Sequence, residues 1–168
     1  MTNPAFACRL VSKFARSTVL LGLISLGLAA PLANAQDAHH HVLLDPGKLT
    51  WAAVPSLPPG AQIAVIEGPM NQAVPFTIRL KFPDNYRIPP HWHPAVERLT
   101  VLSGTFHLGS GESFDKAKAE TLPAGGIAIM PAQMRHYAWT TGETVVQLHG
   151  TGPWGVTYVN AAEDPRNK

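Results

Sequence analysis

Three histidines and one glutamate of this chain have the residue types and the spacing that a metal site requires. His91 and His93 are separated by one residue, Glu97 follows four positions later, and His136 lies further along the chain. Imidazole nitrogens combined with one carboxylate suit Mn, Fe, Ni, Cu or Zn, whereas Ca and Mg prefer oxygen ligands. We therefore predict one divalent transition-metal ion held by these four side chains. Glu97 is also the candidate catalytic residue, since it could act as a base if it left the metal.

Strand geometry explains how residues so placed could meet. In an extended strand the side chains of His91 and His93 project to the same side, and that of Trp92 projects to the other. Pro94 cannot continue the hydrogen-bond ladder, so the chain turns there and can return Glu97 beside the two imidazoles. One histidine in a strand is more often a surface or core residue than a ligand. The prediction therefore depends on the combination.

The elements that would position these residues are short β-rich runs separated by Pro and Gly. Residues 74–81 alternate apolar and polar side chains, which is the period of a half-buried strand. Segment 110–121 favours either a short helical turn or a polar hairpin loop. Further strands are predicted at 61–67, 96–102, 104–109, 126–130, 135–140, 143–149 and 154–159. So many short strands with little helix indicate an all-β sandwich or barrel.

The N-terminus has the three-part pattern of a secretory signal. Three cationic residues precede an almost wholly apolar run at 19–30, and small residues occupy positions 33 and 35. We expect cleavage after Ala35 and export to the periplasm or the medium. The apolar run is short for a membrane span, so a retained anchor is the less favoured alternative. After cleavage we expect no membrane association.

Charge and cysteine content exclude several classes of function for the mature chain. Without the leader, Lys plus Arg falls from 13 to 10 while Asp plus Glu stays at 11, so the formal charge is −1. A chain without a basic cluster gives no reason to propose nucleic-acid binding. The single cysteine, Cys8, lies in the leader, which excludes disulfides and thiolate sites. The predicted organisation is a signal peptide at 1–35, an arm at 36–50, a barrel at 51–160 and a flexible tail at 161–168.

Two stretches of the chain resemble the two motifs of the cupin superfamily. The first motif, G-x5-H-x-H-x3–4-E-x6-G, is matched by His91, His93, Glu97 and Gly104, with Asn85 at the first glycine. Asparagine tolerates the positive φ that such a turn requires. The resemblance covers residues 74–150. It implies a double-stranded β-helix, or jelly-roll barrel, with the four metal ligands inside it.

The second motif, G-x5-P-x-G-x2-H-x3-N, is matched less fully. Gly125, Pro131 and His136 fit, whereas Gln133 replaces the second glycine and Thr140 replaces the asparagine. We expect a different turn at Gln133, and a hydroxyl at Thr140 in place of the amide. The short gap between the motifs resembles that of small single-domain bacterial cupins.

The candidate substrate pocket has mostly apolar walls. Gln147 and His149 alternate with Val146 and Leu148, and the sequence leaves open which pair faces the barrel interior. The predicted pocket residues are Gln147, His149, Phe76, Ile78, Leu99, Val101 and Ala138. The tract at 39–41 is three histidines, which we interpret as a solvated arm rather than a second metal site.

Three classes of function fit these residues. The first is a metal-dependent enzyme for a small molecule, oxygenase-like or isomerase-like, of which a dioxygenase-like oxidoreductase is one form. The second is a non-catalytic periplasmic cupin that binds a metal or a small ligand. The third is a structural or sensory protein in which the metal is a strut. The sequence does not determine the oligomeric state, and a homodimer is one alternative, because open sheet edges are commonly paired or covered.

Overall fold

The computed structural model describes residues 41–168, so the predicted leader, His39 and His40 lie outside the described residues. Regular structure in this part of the chain is almost entirely β, with a few single 3₁₀ turns. The strands are β1 (Ala52–Ala53), β2 (Gln62–Glu67), β3 (Pro75–Phe82), β4 (Arg87–Trp92), β5 (Glu97–Ser110), β6 (Ala119–Pro123), β7 (Ile127–Met130), β8 (His136–Thr151) and β9 (Thr157–Tyr158). The all-β prediction is confirmed. None of the described helical turns is long and apolar enough to cross a membrane.

The strands form one curled sheet whose pairings are all antiparallel. Its order is β1-β2-β3-β8-β4-β9, and β5 pairs with β8 on one side and with β6 and β7 on the other. The long strands β5 and β8 run side by side from the Arg98–His149 pair to the Ser110–His136 pair. They join the part of the sheet that carries Glu97 to the part that carries the histidines.

The core lies on the inner face of this curled sheet, as the alternation in β3 predicts. Phe76, Ile78, Leu80 and Phe82 are buried, and the residues between them are only partly buried. Burying each such side chain contributes about 1.5–3 kcal/mol. The apolar period of two therefore decides which face of the strand turns inward.

Two strands are longer than the sequence predicts, because two glycines expected in turns lie inside strands. The predicted runs 96–102 and 104–109 are one strand, β5, and the runs 135–140 and 143–149 are one strand, β8. Gly104 (φ 76°) and Gly142 (φ 73°) produce left-handed kinks, and the β5–β8 register shifts near Gly104. A glycine inside a strand often marks such an irregularity, which bends the sheet without ending the strand.

The remaining segments complete the edges of the barrel. Segment 110–121 contains a 3₁₀ turn (Lys116–Lys118), one of the two predicted alternatives, and then enters β6, which the sequence did not indicate. The expected flexible tail forms two 3₁₀ turns. In it Arg166 is paired with Asp164 at 2.7 Å and donates to the Val156 carbonyl at 3.0 Å. The boundaries of the arm, barrel and tail stay predictions.

Candidate metal centre

Three neighbouring strands bring the four predicted ligands to one place on the inner face of the sheet. His91 lies in β4, His93 directly follows it, Glu97 begins β5 and His136 begins β8. His91 and His136 are cross-strand partners in the β4–β8 pair. All four side chains are buried, with no more than 6% of any residue exposed. The β4–β8 register therefore sets His91 beside His136. Glu97 is paired with Met130 of β7, so its approach to the histidines comes from the curl of the sheet and not from direct strand pairing.

The distances within the cluster fit ligands of a common ion. Nitrogen atoms of the three imidazoles lie within 4.8 Å of one another. The Glu97 Oε2 atom is 3.0 Å from His93 Nε2 and 3.4 Å from His136 Nε2. Ligand atoms bound at the usual 2.0–2.2 Å from a transition metal lie about 3.0–3.4 Å apart, from geometry alone. The carboxylate and the two imidazoles are already spaced in this way.

Backbone carbonyls hold all three imidazole rings in one tautomer. The Nδ1 atoms contact Pro89 O for His91 (2.8 Å), Gly155 O for His93 (2.8 Å) and Met134 O for His136 (2.9 Å). A carbonyl oxygen can only accept, so each neutral ring carries its hydrogen on Nδ1 and leaves the Nε2 lone pair free. Metal-binding histidines are commonly oriented by such a bond from the other ring nitrogen.

The chemistry of the cluster fits a cation. His93 Nε2 and Glu97 Oε2 are buried and have no hydrogen-bond partner among the described residues. In the neutral ring and the ionised carboxyl both atoms are lone-pair acceptors, and leaving such groups unsatisfied inside a protein is costly. A metal ion between them would satisfy both.

Burial and neighbouring charges adjust the protonation of the cluster. Burial, together with the nearby His136 and His93, lowers the pKa of His91 to about 3, so that this ring is neutral at physiological pH. Burial alone would raise the pKa of the Glu97 carboxyl. The adjacent imidazoles of His136 and His93 outweigh burial and hold the pKa of this carboxyl well below its ordinary value. A neutral imidazole and an ionised carboxylate are the forms that bind metal.

The cluster forms part of the wall of a cavity of about 60 Å³ whose other lining residues are apolar except for Ser56 and the indole N–H of Trp154. Of the predicted pocket residues, Ile78, Leu99 and Ala138 line this cavity. Phe76 and Val101 are fully buried in the core but do not line it. A volume of about 10–15 Å³ is enough for one water on this measure, so the cavity admits a small molecule.

Gln147 and His149 lie on the outer face of the sheet, so the structure does not place them in the cavity. Gln147 accepts a hydrogen bond from Arg79 Nε at 3.1 Å, and His149 is exposed in a surface groove. Val146 and Leu148 line the cavity in their place. The reason is the register of β8. Leu148 is the cross-strand partner of both Ile78 and Leu99, whose apolar side chains are buried.

Trp154 is a residue of the site that the sequence did not indicate. It follows β8, lines the cavity and stacks on His93, with ring centroids 4.2 Å apart and an interplanar angle of 17°. The next residue, Gly155, supplies the carbonyl that orients His93. A tryptophan just after a Gly-Pro turn carries no recognisable signal of this role. Its position follows from the return of the 152–156 loop to the cluster.

The two positions where glycine is replaced in the cupin-like motifs keep the backbone conformation that glycine favours. Asn85 has φ 56° and Gln133 has φ 63°. The expectation that the turn at Gln133 differs from that of the glycine in the motif is wrong for the backbone angle φ, which stays in the left-handed region. The Gln133 N–H donates to the His93 carbonyl at 2.8 Å, which ties this turn to the cluster. A left-handed residue other than glycine costs about 1–2 kcal/mol, and Gln133 bears that cost.

Thr140 supplies the hydroxyl expected where the motif has an amide. Its Oγ1 donates to the Pro83 carbonyl at 2.8 Å and accepts from the Tyr86 N–H at 3.0 Å. The side chain is fully buried. It therefore joins β8 to the turn that precedes β4 and helps to hold these strands in register.

Known proteins with similar sequences or folds agree with this architecture. No protein-family model matches the chain. Germin-like protein 5-1 of Oryza sativa subsp. japonica is 27% identical over 147 residues, which are 82% of this chain and 66% of that protein. The chain therefore spans just under two thirds of the length of this relative.

Solved structures show the same fold. The polyketide cyclase RemF from Streptomyces resistomycificus superposes with a TM-score of 0.59 at 18% identity, covering 74% of this chain and 89% of that one. An RmlC-like cupin from Shewanella frigidimarina superposes with a TM-score of 0.52 at 13% identity, covering 65% and 88%. The chain has the cupin fold. An oxalate oxidase also matches this cupin barrel, with a TM-score of 0.52 at 24% identity, covering 77% and 68%. The predicted jelly-roll barrel is thereby confirmed, and the three-histidine cluster lies on its inner face.

Proposed function

We propose that this cupin is a metal-dependent enzyme that carries out an oxygenase-like reaction on a small organic molecule. The observation that carries the proposal is the convergence of three imidazoles and one carboxylate on the wall of an apolar cavity. One Mn, Fe, Ni, Cu or Zn ion suits this donor set. When bound, such an ion supplies Lewis acidity, and the redox-active members of the series add one-electron chemistry.

The residues of the chain prepare the site for this reaction. Three carbonyls orient the imidazoles, so little reorganisation is needed when the ligands bind. The anionic Glu97 balances part of the charge of the ion. The apolar walls exclude water, which strengthens electrostatic interactions at the centre.

The composition of the cavity wall favours an oxygenase-like reaction over isomerisation. Within residues 41–168, the lining contains no titratable side chain apart from His91, His93, Glu97 and His136. Isomerisation needs a positioned acid or base that can move a proton on the substrate. His91, His93 and His136 are ligands, and Glu97 could serve as a base only by leaving the ion. The rest of the described wall offers no such group. The fold alone does not choose the reaction, since one barrel hosts many chemistries.

The test is oxygen uptake by protein stripped with chelator and reloaded in turn with Mn²⁺, Fe²⁺, Ni²⁺, Cu²⁺ or Zn²⁺. A panel of small organic acids and diketones would be supplied under labelled dioxygen, with mass spectrometry of the products. We expect turnover with at least one redox-active ion and its loss in His93→Ala. His107→Ala is the matched control, because His107 is a histidine of the outer face.

A non-catalytic ligand-binding cupin is the second candidate, and the same cavity wall supports it. A binder needs an accessible metal but no proton-transfer group, and the described lining has none beyond the ligands. Stoichiometric metal and tight ligand binding without oxygen uptake, for every ion tested, would favour this candidate over the enzyme.

We also propose export, with the mature protein beginning at Gln36. The support is the sequence pattern of residues 1–35 alone. N-terminal sequencing of protein from a periplasmic extract tests it, and intact Met1 in a cytosolic fraction would contradict it. The homodimer stays one alternative, and sedimentation of the purified protein would test it.

A further inference from the structure

Several buried polar side-chain atoms without a hydrogen-bond partner belong to residues that line one cavity. In the part of the chain that the structure describes, three such side-chain atoms occur: His93 Nε2, Glu97 Oε2 and Trp154 Nε1. All three belong to residues that line the cavity. The first two can accept and fit a cation. The indole N–H can only donate, so a metal ion cannot satisfy it.

Trp154 packs beside the cluster. Its ring stacks on His93 at 4.2 Å and packs against Phe76, with centroids 5.5 Å apart. Its backbone N–H donates to the Met70 carbonyl at 2.7 Å. Because the indole N–H is buried and has no partner among the described residues, it retains a desolvation cost that an acceptor on a bound molecule would remove.

The rest of the wall limits what that molecule can be. Among the described lining residues there is no lysine, arginine, asparagine, glutamine or tyrosine. A charged group placed away from the ion would therefore lose its hydration without gaining a partner, which is strongly unfavourable. Ser56 is the one other lining residue with a polar side chain in the described part of the chain, and its hydroxyl is neutral. The cavity can therefore satisfy oxygen atoms close to the ion, to Trp154 and to Ser56, but it offers no second charged partner.

We propose that the cavity binds a small chelating monoanion with a short apolar body and no second charge, such as a 2-oxo acid or an enolised diketone. Trp154 Nε1–H donates a hydrogen bond to one of its oxygens. The metal takes the chelating oxygens, and side chains such as Leu99, Ala138 and Leu148 pack against the apolar body. This inference rests on the proposed metal site and names the substrate class of that site.

The test uses full mature protein loaded with Co²⁺, whose visible absorption reports ligands bound to the ion without any turnover. Two probes share one chelating head: 2-oxopentanoate ends in a methyl group and 2-oxoglutarate ends in a second carboxylate. We expect 2-oxopentanoate to bind at least about tenfold more tightly. Equal or tighter binding of 2-oxoglutarate, or no binding of 2-oxopentanoate, would overturn the inference.

The role of Trp154 is tested by Trp154→Phe, which keeps a stacked ring and removes the N–H. Because the lost hydrogen bond is to a charged acceptor, we expect the variant to bind 2-oxopentanoate about tenfold or more weakly. The variant should still bind one equivalent of Co²⁺. Trp92→Phe is the matched control, because Trp92 is not among the residues that line the cavity. The affinity of this variant for 2-oxopentanoate should equal that of the wild type. Unchanged affinity in Trp154→Phe would show that the donor is not used.

The two proposals fail in different ways. If the wild-type protein takes up no Co²⁺, the metal site itself is wrong, and the proposed function fails together with this inference. If Co²⁺ binds stoichiometrically but the probe preference or the Trp154 effect is missing, only the inference fails. The comparison of the two acids uses wild-type protein and so does not depend on the folding of a variant.

Discussion

The imidazole rings of His91 and His136 lie next to each other across the β4–β8 pair, with centroids 4.2 Å apart and an interplanar angle of 59°. The two residues are 45 positions apart in the chain, yet the register of one strand pair places them side by side. Each also bonds through Nδ1 to the carbonyl two residues before it. Strand pairing and local hydrogen bonds to the backbone thus position two of the four predicted ligands without an ion.

Removal of one ligand is expected to abolish stoichiometric metal binding. His136→Ala leaves two imidazoles and a carboxylate, with solvent in place of the fourth ligand. Loss of a residue that only orients a ligand typically lowers metal affinity by about ten- to hundredfold, and loss of a ligand should lower it at least as much. Elemental analysis should therefore show metal content falling from one equivalent to below about 0.2. His107→Ala should retain a full equivalent. A full equivalent in His136→Ala would mean that this residue is not a ligand.

The metal-free protein should lose stability as pH falls below about 6.5. The pKa of His91 is lowered to about 3 in the folded state, whereas in the unfolded chain it is about 6.5. The unfolded state therefore takes up a proton that the folded state excludes, and acid favours unfolding. Urea unfolding at pH 7.0 and pH 5.5 should differ by about 1 kcal/mol from this group.

His91→Leu provides the control for this pH dependence. His107 also has a lowered pKa, through partial burial and the nearby Lys116, so the wild-type slope contains more than one contribution. The part due to His91 should disappear in the variant. The same slope in both proteins would contradict the assignment. Below about pH 4.5, protonation of Glu97 in the unfolded state adds destabilisation of the same sign.

Gln133→Gly is expected to stabilise the protein. Glycine relieves the left-handed strain at φ 63° but adds freedom to the unfolded chain, and the net gain should be about 0.5–1 kcal/mol. Urea midpoints at a constant m-value would measure it. Gln133→Ala keeps the strain and should show no gain. A loss of stability in the glycine variant would indicate that the glutamine side chain makes a compensating contribution.

Gly104→Ala should destabilise the barrel much more than Gly142→Ala. The two glycines have similar φ values, 76° and 73°. A Cβ on Gly104 would lie 2.4 Å from the Glu143 carbonyl oxygen, whereas a Cβ on Gly142 would meet nothing within 4 Å. The backbone strain cancels in this comparison, so steric overlap should account for a difference of at least about 2 kcal/mol. Equal unfolding free energies would exclude a tight β5–β8 contact there.

The sequence predicts features that depend on neighbours along the chain. The alternation in β3 predicts its buried face, because a strand turns every second side chain to the same side. The pair His91 and His93 shares one side of its strand for the same reason. Asn85 stands where the cupin motif has its first glycine, and the conformational preference of asparagine is compatible with the left-handed turn expected there. These conclusions need no knowledge of distant partners.

Tertiary structure decides what depends on pairing between distant segments. The register of β8 turns Leu148 inward and His149 outward. The sequence alone could not predict this orientation, because both faces of the strand alternate in the same way. Gly104 bends a strand instead of ending it, because β8 continues to pair beyond the kink. Trp154 reaches His93 only through the return of a loop about sixty residues later in the chain. The chemistry of a side chain can thus be predicted from its residue type and spacing, whereas its surroundings depend on which strands pair and in what register.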